Sequence, residues 1–269
     1  MVPVETGLAK RPQRPPDSRL AERFRPMPTW FDDEVRDLEQ RTSPQRDMPN
    51  PIVFYGSSSF RLWHDMAAYF PGYNVVNHGF GGSTLADCNE YFDRLVAAVE
   101  PQAIVLYAGD NDLGDGSSPE QVLERLRWFV TRKRETLGDT PMAYVSIKIS
   151  PARFAIMHGI AYTNRLIERA LAAERDVRFV DVTRRMVGRG MMPLLGCYTD
   201  DPLHMNREGY RILGRSLADY LGEIESAAGD LRSTSDAERP AWMLVDDDDA
   251  PEDDHGDQPP PRARANRPS

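Results

Sequence analysis

Cysteine is scarce in this chain, and long apolar runs are missing from it. Only two of the 269 residues are cysteines, and neither lies in a CxxC or Cys/His cluster, which argues against a disulfide scaffold or a zinc site. We expect Cys88 and Cys197 to be free thiols in a reducing compartment. No run approaches the roughly 20 apolar residues of a membrane helix, and residues 1–27 lack the apolar stretch of a secretory signal. A cytoplasmic protein without a membrane anchor is therefore expected.

Positive charge is also in short supply. The chain has 33 Lys and Arg against 42 Asp and Glu, a net charge of −9, which argues against nucleic acid as a partner. The tail at 226–269 holds eleven acids and five arginines, and residues 1–27 are rich in Pro and Arg. We expect both ends to be disordered. They flank one domain at about 28–225, for which the 40% of hydrophobic residues supply a core.

Between these ends, strand-like and helix-like segments alternate. Five short and nearly continuous apolar runs are typical of strands that are buried on both faces; they lie at 51–55, 74–80, 103–109, 142–149 and 177–182. Helical patterns lie at 29–41, 60–70, 85–99, 119–137, 158–175 and 206–221. Strands separated by helices predict a parallel sheet with helices on both faces. The expected fold is a three-layer α/β/α sandwich with a five-stranded parallel sheet.

Polar loops follow the first two predicted strands, at the sheet edge where such folds bind ligands. The first loop reads GSSS at 56–59. A serine there could expose a nucleophilic hydroxyl, although serine is also a common helix cap. The second loop reads NHGFGGST at 77–84. Its glycines permit a tight turn or a close backbone approach, and a backbone N–H there could face a developing oxyanion.

The third loop reads AGDNDLGDG at 108–116 and crowds three aspartates around one asparagine. The acids could indicate a metal site, but the glutamate that closes an EF-hand calcium loop is missing. We therefore expect no metal. A side-chain amide is a neutral donor that suits an oxyanion, so Asn111 is the more informative residue of this loop.

The last loop reads TDDPLHMN at 199–206. Asp201 and His204 lie within one turn of chain, so the carboxylate can orient the imidazole and stabilise its charged form. Asp200 is the nearest rival for the acid, and His64 is a second candidate for the base. Together the four loops contain the nucleophile, base, orienting acid and oxyanion donors that acyl transfer needs.

In these blocks the sequence resembles the SGNH hydrolases, also called GDSL-type esterases and lipases, and in particular a bacterial subgroup. The family's first block, Gly-Asp-Ser-Leu, is GSSS here, so Ser58 takes the nucleophile position and Ser57 replaces the aspartate. Gly82 matches the second block. The third block, Gly-x-Asn-Asp, is intact at 109–112, and the last, Asp-x-x-His, is intact at 201–204.

The resemblance implies a flavodoxin-like fold and a serine esterase mechanism that uses no metal or organic cofactor. Ser58 would attack the ester carbonyl while His204 takes its proton, and Asp201 would orient the imidazole. The backbone N–H groups of Ser58 and Gly82 and the side-chain amide of Asn111 would hold the oxyanion.

Several alternatives remain open from the sequence. Ser57 and Ser59 are alternative nucleophiles, because the choice of Ser58 rests on spacing alone. The expected substrate is a small-molecule ester, a short acyl (acetyl) ester of a carbohydrate or small alcohol. An O-acyltransferase or a lysophospholipase-type lipase would use the same triad, and a non-catalytic flavodoxin-like binding module is a further reading. Loops 150–157 and 188–198 are expected to line the pocket, with Arg153 as a candidate substrate-binding residue.

Overall fold

A computed structural model of the protein describes residues 31–228. The segment 1–27 and residues 229–269 of the tail at 226–269, which we expect to be disordered, lie outside the described residues. Residues 226–228 of that tail are helical, so its predicted start is wrong. Thr29, which begins the helical pattern at 29–41 and is expected to cap it, lies outside them as well.

A five-stranded, all-parallel sheet forms the centre of the described part. The strands are β1 Pro51–Gly56, β2 Asn74–Gly79, β3 Ala103–Tyr107, β4 Met142–Val145 and β5 Val177–Val180. Their spatial order is β2-β1-β3-β4-β5. Strand β1 pairs on both sides, with Ile52 opposite Val75 of β2 and Ala103 of β3. The predicted five-stranded parallel sheet is confirmed.

Helices connect the strands. Within residues 31–228 the α-helices are α1 Asp32–Arg46, α2 Ser58–Arg61, α3 Leu85–Glu90, α4 Phe92–Leu95, α5 Asp110–Gly114, α6 Pro119–Leu137, α7 Met157–Leu171 and α8 Arg207–Ala228. Short 3₁₀-helices lie among them, including Met66–Tyr69, Ala97–Val99 and Pro151–Ile156.

Two apolar cores cover the two faces of the sheet. Because neighbouring strand residues point to opposite faces, Val53 and Tyr55 of β1 pack with α1, α3, α4, α6 and α7. Ile52 and Phe54 pack with α2 and α8 on the other face. All residues of β1 and β3 are buried, which explains their nearly continuous apolar sequences. The three-layer α/β/α arrangement is therefore confirmed.

Two helix starts show how local sequence fixes the elements. Helix α6 has the bounds that the pattern predicts, and the side chains of Ser118 and Gln121 form a reciprocal capping box at its start. Ser83 and Thr84 are both candidate caps for α3 by residue type; the structure shows that Thr84 is the cap and that its partner in the capping box is Asp87.

The prediction of a single helix at 60–70 is wrong. Helix α2 ends at Arg61, and the 3₁₀-helix Met66–Tyr69 follows after a break. The break allows Trp63 to stack on Tyr210 of α8, with 5.0 Å between the ring centroids. Tertiary aromatic packing therefore overrides the helical period of this segment.

Other element ends also differ from the expectation. The segment expected as one helix at 85–99 consists of α3, α4 and a 3₁₀-helix. Strands β3, β4 and β5 end two to four residues early, and α8 continues beyond 221 to Ala228. Because the residues after the shortened strands form the loops at the carboxyl edge, the shortening enlarges the region available for a site.

Candidate active site

A glycine turns the chain at the carboxyl end of β1. Gly56 has φ +133°, and a Cβ on it would lie 1.9 Å from the Tyr107 carbonyl oxygen, so the position accommodates glycine alone. The next N–H, that of Ser57, donates to the same oxygen at 3.0 Å. This close approach of β1 to β3 fixes the start of α2 and therefore the place of Ser58.

The three serines that follow differ in their surroundings. Ser57 and Ser59 are each 2% exposed, and the Ser59 hydroxyl lies 3.4 Å from the ammonium of Lys148. Ser58 is partly exposed, and its Oγ lies 3.0 Å from Nε2 of His204. Of the three, Ser58 is the one that contacts the histidine.

Asp201 completes a chain of three side chains. Its Oδ2 lies 2.5 Å from Nδ1 of His204. A carboxylate can only accept a hydrogen bond, so Nδ1 carries the proton and Nε2 presents its lone pair to the Ser58 hydroxyl. Asp201, rather than its neighbour Asp200, makes the contact, and His64 has no part in it.

The loop that carries the acid and the base is held by its own hydrogen bonds. The Leu203 N–H donates to Asp201 Oδ1 at 3.0 Å, and the Thr199 N–H donates to the His204 carbonyl at 3.0 Å. The Leu203 bond, followed by the His204 bond, holds the pKa of the Asp201 carboxyl below its usual value. Asp201 is therefore ionised at neutral pH, as an orienting acid requires.

The expected oxyanion donors lie in two adjoining loops. The Asn111 side-chain amide donates one N–H to the Ser83 carbonyl at 2.9 Å. Ser83 follows Gly82, which has φ +80°, a backbone conformation that favours glycine. Among the described residues, the second amide N–H of Asn111 and the backbone N–H groups of Gly82 and Ser58 have no acceptor. All three are therefore available to a ligand.

Asp112 fixes the helix that carries Asn111. It is fully buried, and its carboxylate accepts from the Leu85 N–H at 2.8 Å and from Arg125 at 2.6 Å. These bonds tie α5 to the start of α3 and to α6. Within residues 31–228 no group of three His, Cys, Asp or Glu side chains is arranged to hold a metal ion.

A buried lysine that the sequence reasoning missed lies beside these loops. Lys148 is 2% exposed, and its Nζ lies 2.8 Å from Asp110 Oδ2 and 3.1 Å from the Tyr107 hydroxyl. Burial is the largest single influence and lowers its pKa, but the interactions with Asp110 and Tyr107 together outweigh burial and raise the pKa. A lysine that stays protonated cannot serve as the base for a serine, which leaves His204. The signal in the sequence was a single charge inside the apolar run 142–149.

Arg153 lies between the two sides of the site. Its side chain is 26% exposed, and Nε lies 3.4 Å from Asp110 Oδ1. The preceding N–H, that of Ala152, donates to the Pro202 carbonyl at 3.1 Å. The turn therefore contacts the loop of Asp201 and His204, whereas the side chain reaches the helix of Asn111.

Three further observations concern the cysteines, the loop 188–198 and membrane-spanning helices. Both cysteines are buried free thiols. In the loop 188–198, Met191, Met192 and Leu195 are exposed. No helix in the described part of the chain is long and apolar enough to cross a membrane.

Comparisons with known proteins agree with this geometry. The GDSL-like lipase/acylhydrolase family matches residues 52–212. Solved structures with the same fold include a GDSL-like lipase from Bacteroides thetaiotaomicron, with 20% identity, a TM-score of 0.60 and coverage of 69% of this chain and 97% of that one. A protein from Streptococcus pneumonia has 22% identity, a TM-score of 0.61 and coverage of 76% and 97%.

An acetylxylan esterase from Geobacillus stearothermophilus is more distant, with 14% identity, a TM-score of 0.53 and coverage of 65% of this chain and 95% of that one. No curated protein matches the chain. The structural likenesses show the fold, and the family match covers more than half of the chain, including all four polar loops. The chain belongs to the GDSL-like lipase/acylhydrolase family and is a hydrolase that acts on ester bonds.

Proposed function

We propose that the protein is a serine esterase in which Ser58 forms an acyl-enzyme with the acyl group of a carboxylic ester. The observation that carries the proposal is the position of His204, which contacts Asp201 through Nδ1 and Ser58 through Nε2. This is the order of contacts in which a carboxylate orients a general base and the base activates a hydroxyl.

The reaction begins when Ser58 Oγ attacks the ester carbonyl carbon and His204 Nε2 takes the hydroxyl proton. Negative charge develops on the carbonyl oxygen, where the N–H groups of Ser58, Gly82 and Asn111 act as donors. Loss of one such donor typically costs about 3 kcal/mol of barrier stabilisation.

The imidazolium of His204 then gives its proton to the leaving alcohol as the C–O bond breaks. Water attacks the acyl-enzyme next, with His204 again taking a proton, and the acid product leaves as Ser58 regains its hydrogen. Asp201 stays ionised throughout and stabilises the imidazolium.

For the substrate, we propose short acyl esters, acetyl esters in particular, of carbohydrates or small alcohols. Two features support this. Asp201 has a side chain that is 56% exposed, so the site lies open at the surface. In addition, one structural neighbour is an acetylxylan esterase. An open site accepts a bulky alcohol part and gives little cover to a long acyl chain.

One observation favours a second candidate, a lipase for longer acyl chains. Met191, Met192 and Leu195 are 39%, 52% and 73% exposed, and they precede the loop of Asp201 and His204. An acyl chain could cover these side chains. A series of p-nitrophenyl esters from acetyl to dodecanoyl separates the candidates, because a rate that peaks beyond about eight carbons would favour the lipase.

The test of the mechanism is Ser58→Ala, with Ser57→Ala as the matched control. We expect Ser58→Ala to lower kcat on p-nitrophenyl acetate by at least about 10³-fold, as removal of a serine nucleophile does. Ser57 has no contact with His204, so its variant should keep the activity of its folded fraction. Urea unfolding measures that fraction for both proteins.

Covalent labelling gives an independent result. A fluorophosphonate should label the wild type and the Ser57→Ala variant and leave Ser58→Ala unlabelled. Full activity in Ser58→Ala would overturn the proposal, and an unlabelled, inactive wild type would favour a binding module. Product analysis with an added alcohol acceptor distinguishes hydrolysis from acyl transfer.

A further inference from the structure

Three charged side chains, Lys148, Asp110 and Arg153, form a cluster at the edge of the proposed site; we call it the Lys148 cluster. Lys148 donates to Asp110 Oδ2 at 2.8 Å. Arg153 faces the other oxygen of the same carboxylate, with 3.4 Å between its Nε and Asp110 Oδ1. Both Nε and Oδ1 are buried and lack a hydrogen-bond partner. One carboxylate thus pairs with two cations. It forms a hydrogen bond with Lys148, whereas its contact with Arg153 is an ion pair without a hydrogen bond.

Charge in the Lys148 cluster is not balanced. Lys148 is held protonated, as described above, and an arginine is always charged. With Asp110 as the shared anion, the cluster keeps one positive charge in excess. Among the described residues, Asp110 is the acid with which Arg153 pairs. The excess charge therefore falls on the guanidinium.

The outer end of Arg153 is open. Its side chain is 26% exposed although Nε is buried, so the exposure belongs to the remainder of the side chain. The guanidinium rests against Gly114, where a Cβ would lie 2.3–2.4 Å from Cζ, Nη1 and Nη2. A larger residue at 114 would force the fork away. Neither Nη1 nor Nη2 has a hydrogen-bond acceptor among residues 31–228.

The position of Arg153 connects this fork to the reaction. Asp110 precedes Asn111, the proposed oxyanion donor, on α5. Ala152 is bonded to Pro202, which lies between Asp201 and His204. The turn of Arg153 therefore contacts the acid–base loop through the backbone, whereas its guanidinium contacts α5, the helix of the oxyanion donor, and so lies beside the site.

We infer that Arg153 binds an anionic group of the substrate, a carboxylate or phosphate carried on the acyl or the alcohol part of the ester. The two terminal nitrogens of a guanidinium match the two oxygens of such a group. A neutral hydroxyl could accept a hydrogen bond but would leave the excess charge in place. This inference rests on the proposed function and assigns the esterase a substrate that is more acidic than acetate esters of simple sugars.

The experiment compares two pairs of esters that differ in charge. In the first pair the acyl part varies: p-nitrophenyl hemisuccinate is anionic and p-nitrophenyl butyrate is neutral. In the second pair the alcohol part varies: 4-acetoxyphenyl phosphate is anionic and 4-methoxyphenyl acetate is neutral. For each pair the ratio of kcat/KM, anionic over neutral, is measured in the wild type, Arg153→Met and Arg153→Lys.

We expect Arg153→Met to lower the ratio at least about tenfold in one of the pairs, mainly through KM, since a charge-assisted pair contributes on that scale. Arg153→Lys should recover part of the ratio because it keeps the charge. The pair that responds tells whether the anion is a carboxylate on the acyl part or a phosphate on the alcohol part. Any general loss of activity is shared by both esters and cancels in the ratio.

Arg134→Met is the matched control, since Arg134 also shares an aspartate with a buried lysine but lies at the opposite edge of the sheet. It should lower stability and leave both ratios unchanged. An unchanged ratio in Arg153→Met for both pairs would overturn the inference while hydrolysis of the neutral esters still supports the esterase. Absence of hydrolysis of all four esters would instead count against the proposed function.

Discussion

Two buried lysines lie at opposite edges of one sheet, and they differ in how completely their ammonium groups are hydrogen-bonded. Lys133, in α6, lies near the amino ends of β4 and β5. Its ammonium has three short bonds, to the Gly138 carbonyl at 3.1 Å, the Thr140 carbonyl at 2.8 Å and Asp176 at 2.6 Å. An ammonium has three donors, so Lys133 is fully satisfied.

Lys148, at the carboxyl edge, has a looser set of partners. It shares Asp110 and the Tyr107 hydroxyl, and its third contact, to Ser59, is stretched to 3.4 Å. Both lysines are buried, so the difference lies in the completeness of their partners rather than in their exposure.

The neighbouring arginines repeat the contrast. Arg134 bonds both Asp176 and Glu174, so the amino edge has two cations and two acids. Arg153 has only a distant contact to Asp110, so the Lys148 cluster at the carboxyl edge has two cations and one acid. A closed network stabilises the fold, whereas an open one leaves charge and donors for a ligand. We therefore expect the cluster at the amino edge to stabilise the fold and the cluster at the carboxyl edge to act on a ligand.

Of the substitutions that compare the two edges, Asp201→Asn at the carboxyl edge should have the largest effect on activity. We expect kcat on p-nitrophenyl acetate to fall about 10⁴-fold, because an amide favours the wrong tautomer of His204. The side chain is exposed, so the urea midpoint should be nearly unchanged. Steady-state kinetics and urea unfolding of the same preparation check both statements. A large loss of stability would mean that the acid also holds the fold.

The counterpart at the amino edge is Asp176→Asn. Removal of one partner from a buried pair leaves an uncompensated charge, here that of Lys133, and we expect a loss of about 3 kcal/mol in the free energy of unfolding. The folded fraction should keep its kcat, because the cluster lies across the sheet from Ser58. Denaturant titration gives the first value and kinetics the second. A fall in kcat without a fall in stability would contradict the division between the edges.

A smaller effect is expected from pH. The bond from Arg134, together with that from Lys133, holds the pKa of Asp176 well below its usual range. A lowered pKa means that the ionised carboxylate stabilises the fold above the unfolded value of about 3.9 and that this stabilisation is lost as the pH falls.

The difference in unfolding free energy between the wild type and Asp176→Asn should therefore be constant above about pH 5 and shrink between about pH 4 and pH 2. Urea titrations across this range measure it. A difference that stays constant down to pH 2 would show that the carboxylate is not the group responsible.

The sequence predicts the sheet well because each strand carries its own signal. The apolar runs are local, and so are the capping box of α6 and the Asp-x-x-His spacing that brings Asp201 to His204. The segment at 60–70 fails for the opposite reason, since Trp63 packs on Tyr210, about 150 residues further along the chain.

The Lys148 cluster shows the same limit at the site. Lys148 and Asp110 are 38 residues apart, and nothing in either local sequence connects them. The partner of a buried charge is determined by the order of the strands, since β3 and β4 are neighbours in the sheet.

Ser57 stands in place of the family's aspartate. Its backbone N–H donates to the Tyr107 carbonyl, but nothing in the structure explains its side chain.

The contact between Ser58 and His204 spans 146 residues of chain. Because a ribosome synthesises the chain from its amino end, Ser58 is made long before His204. The loop that presents His204 is anchored by Asn206, which caps α8 by accepting from Glu208 and Gly209. A chain that stops before the loop 199–206 contains Ser58 but lacks His204, so under the proposed mechanism it should not hydrolyse esters. The proposed activity therefore depends on the strands between Ser58 and His204, since the sheet must form before the two side chains can meet.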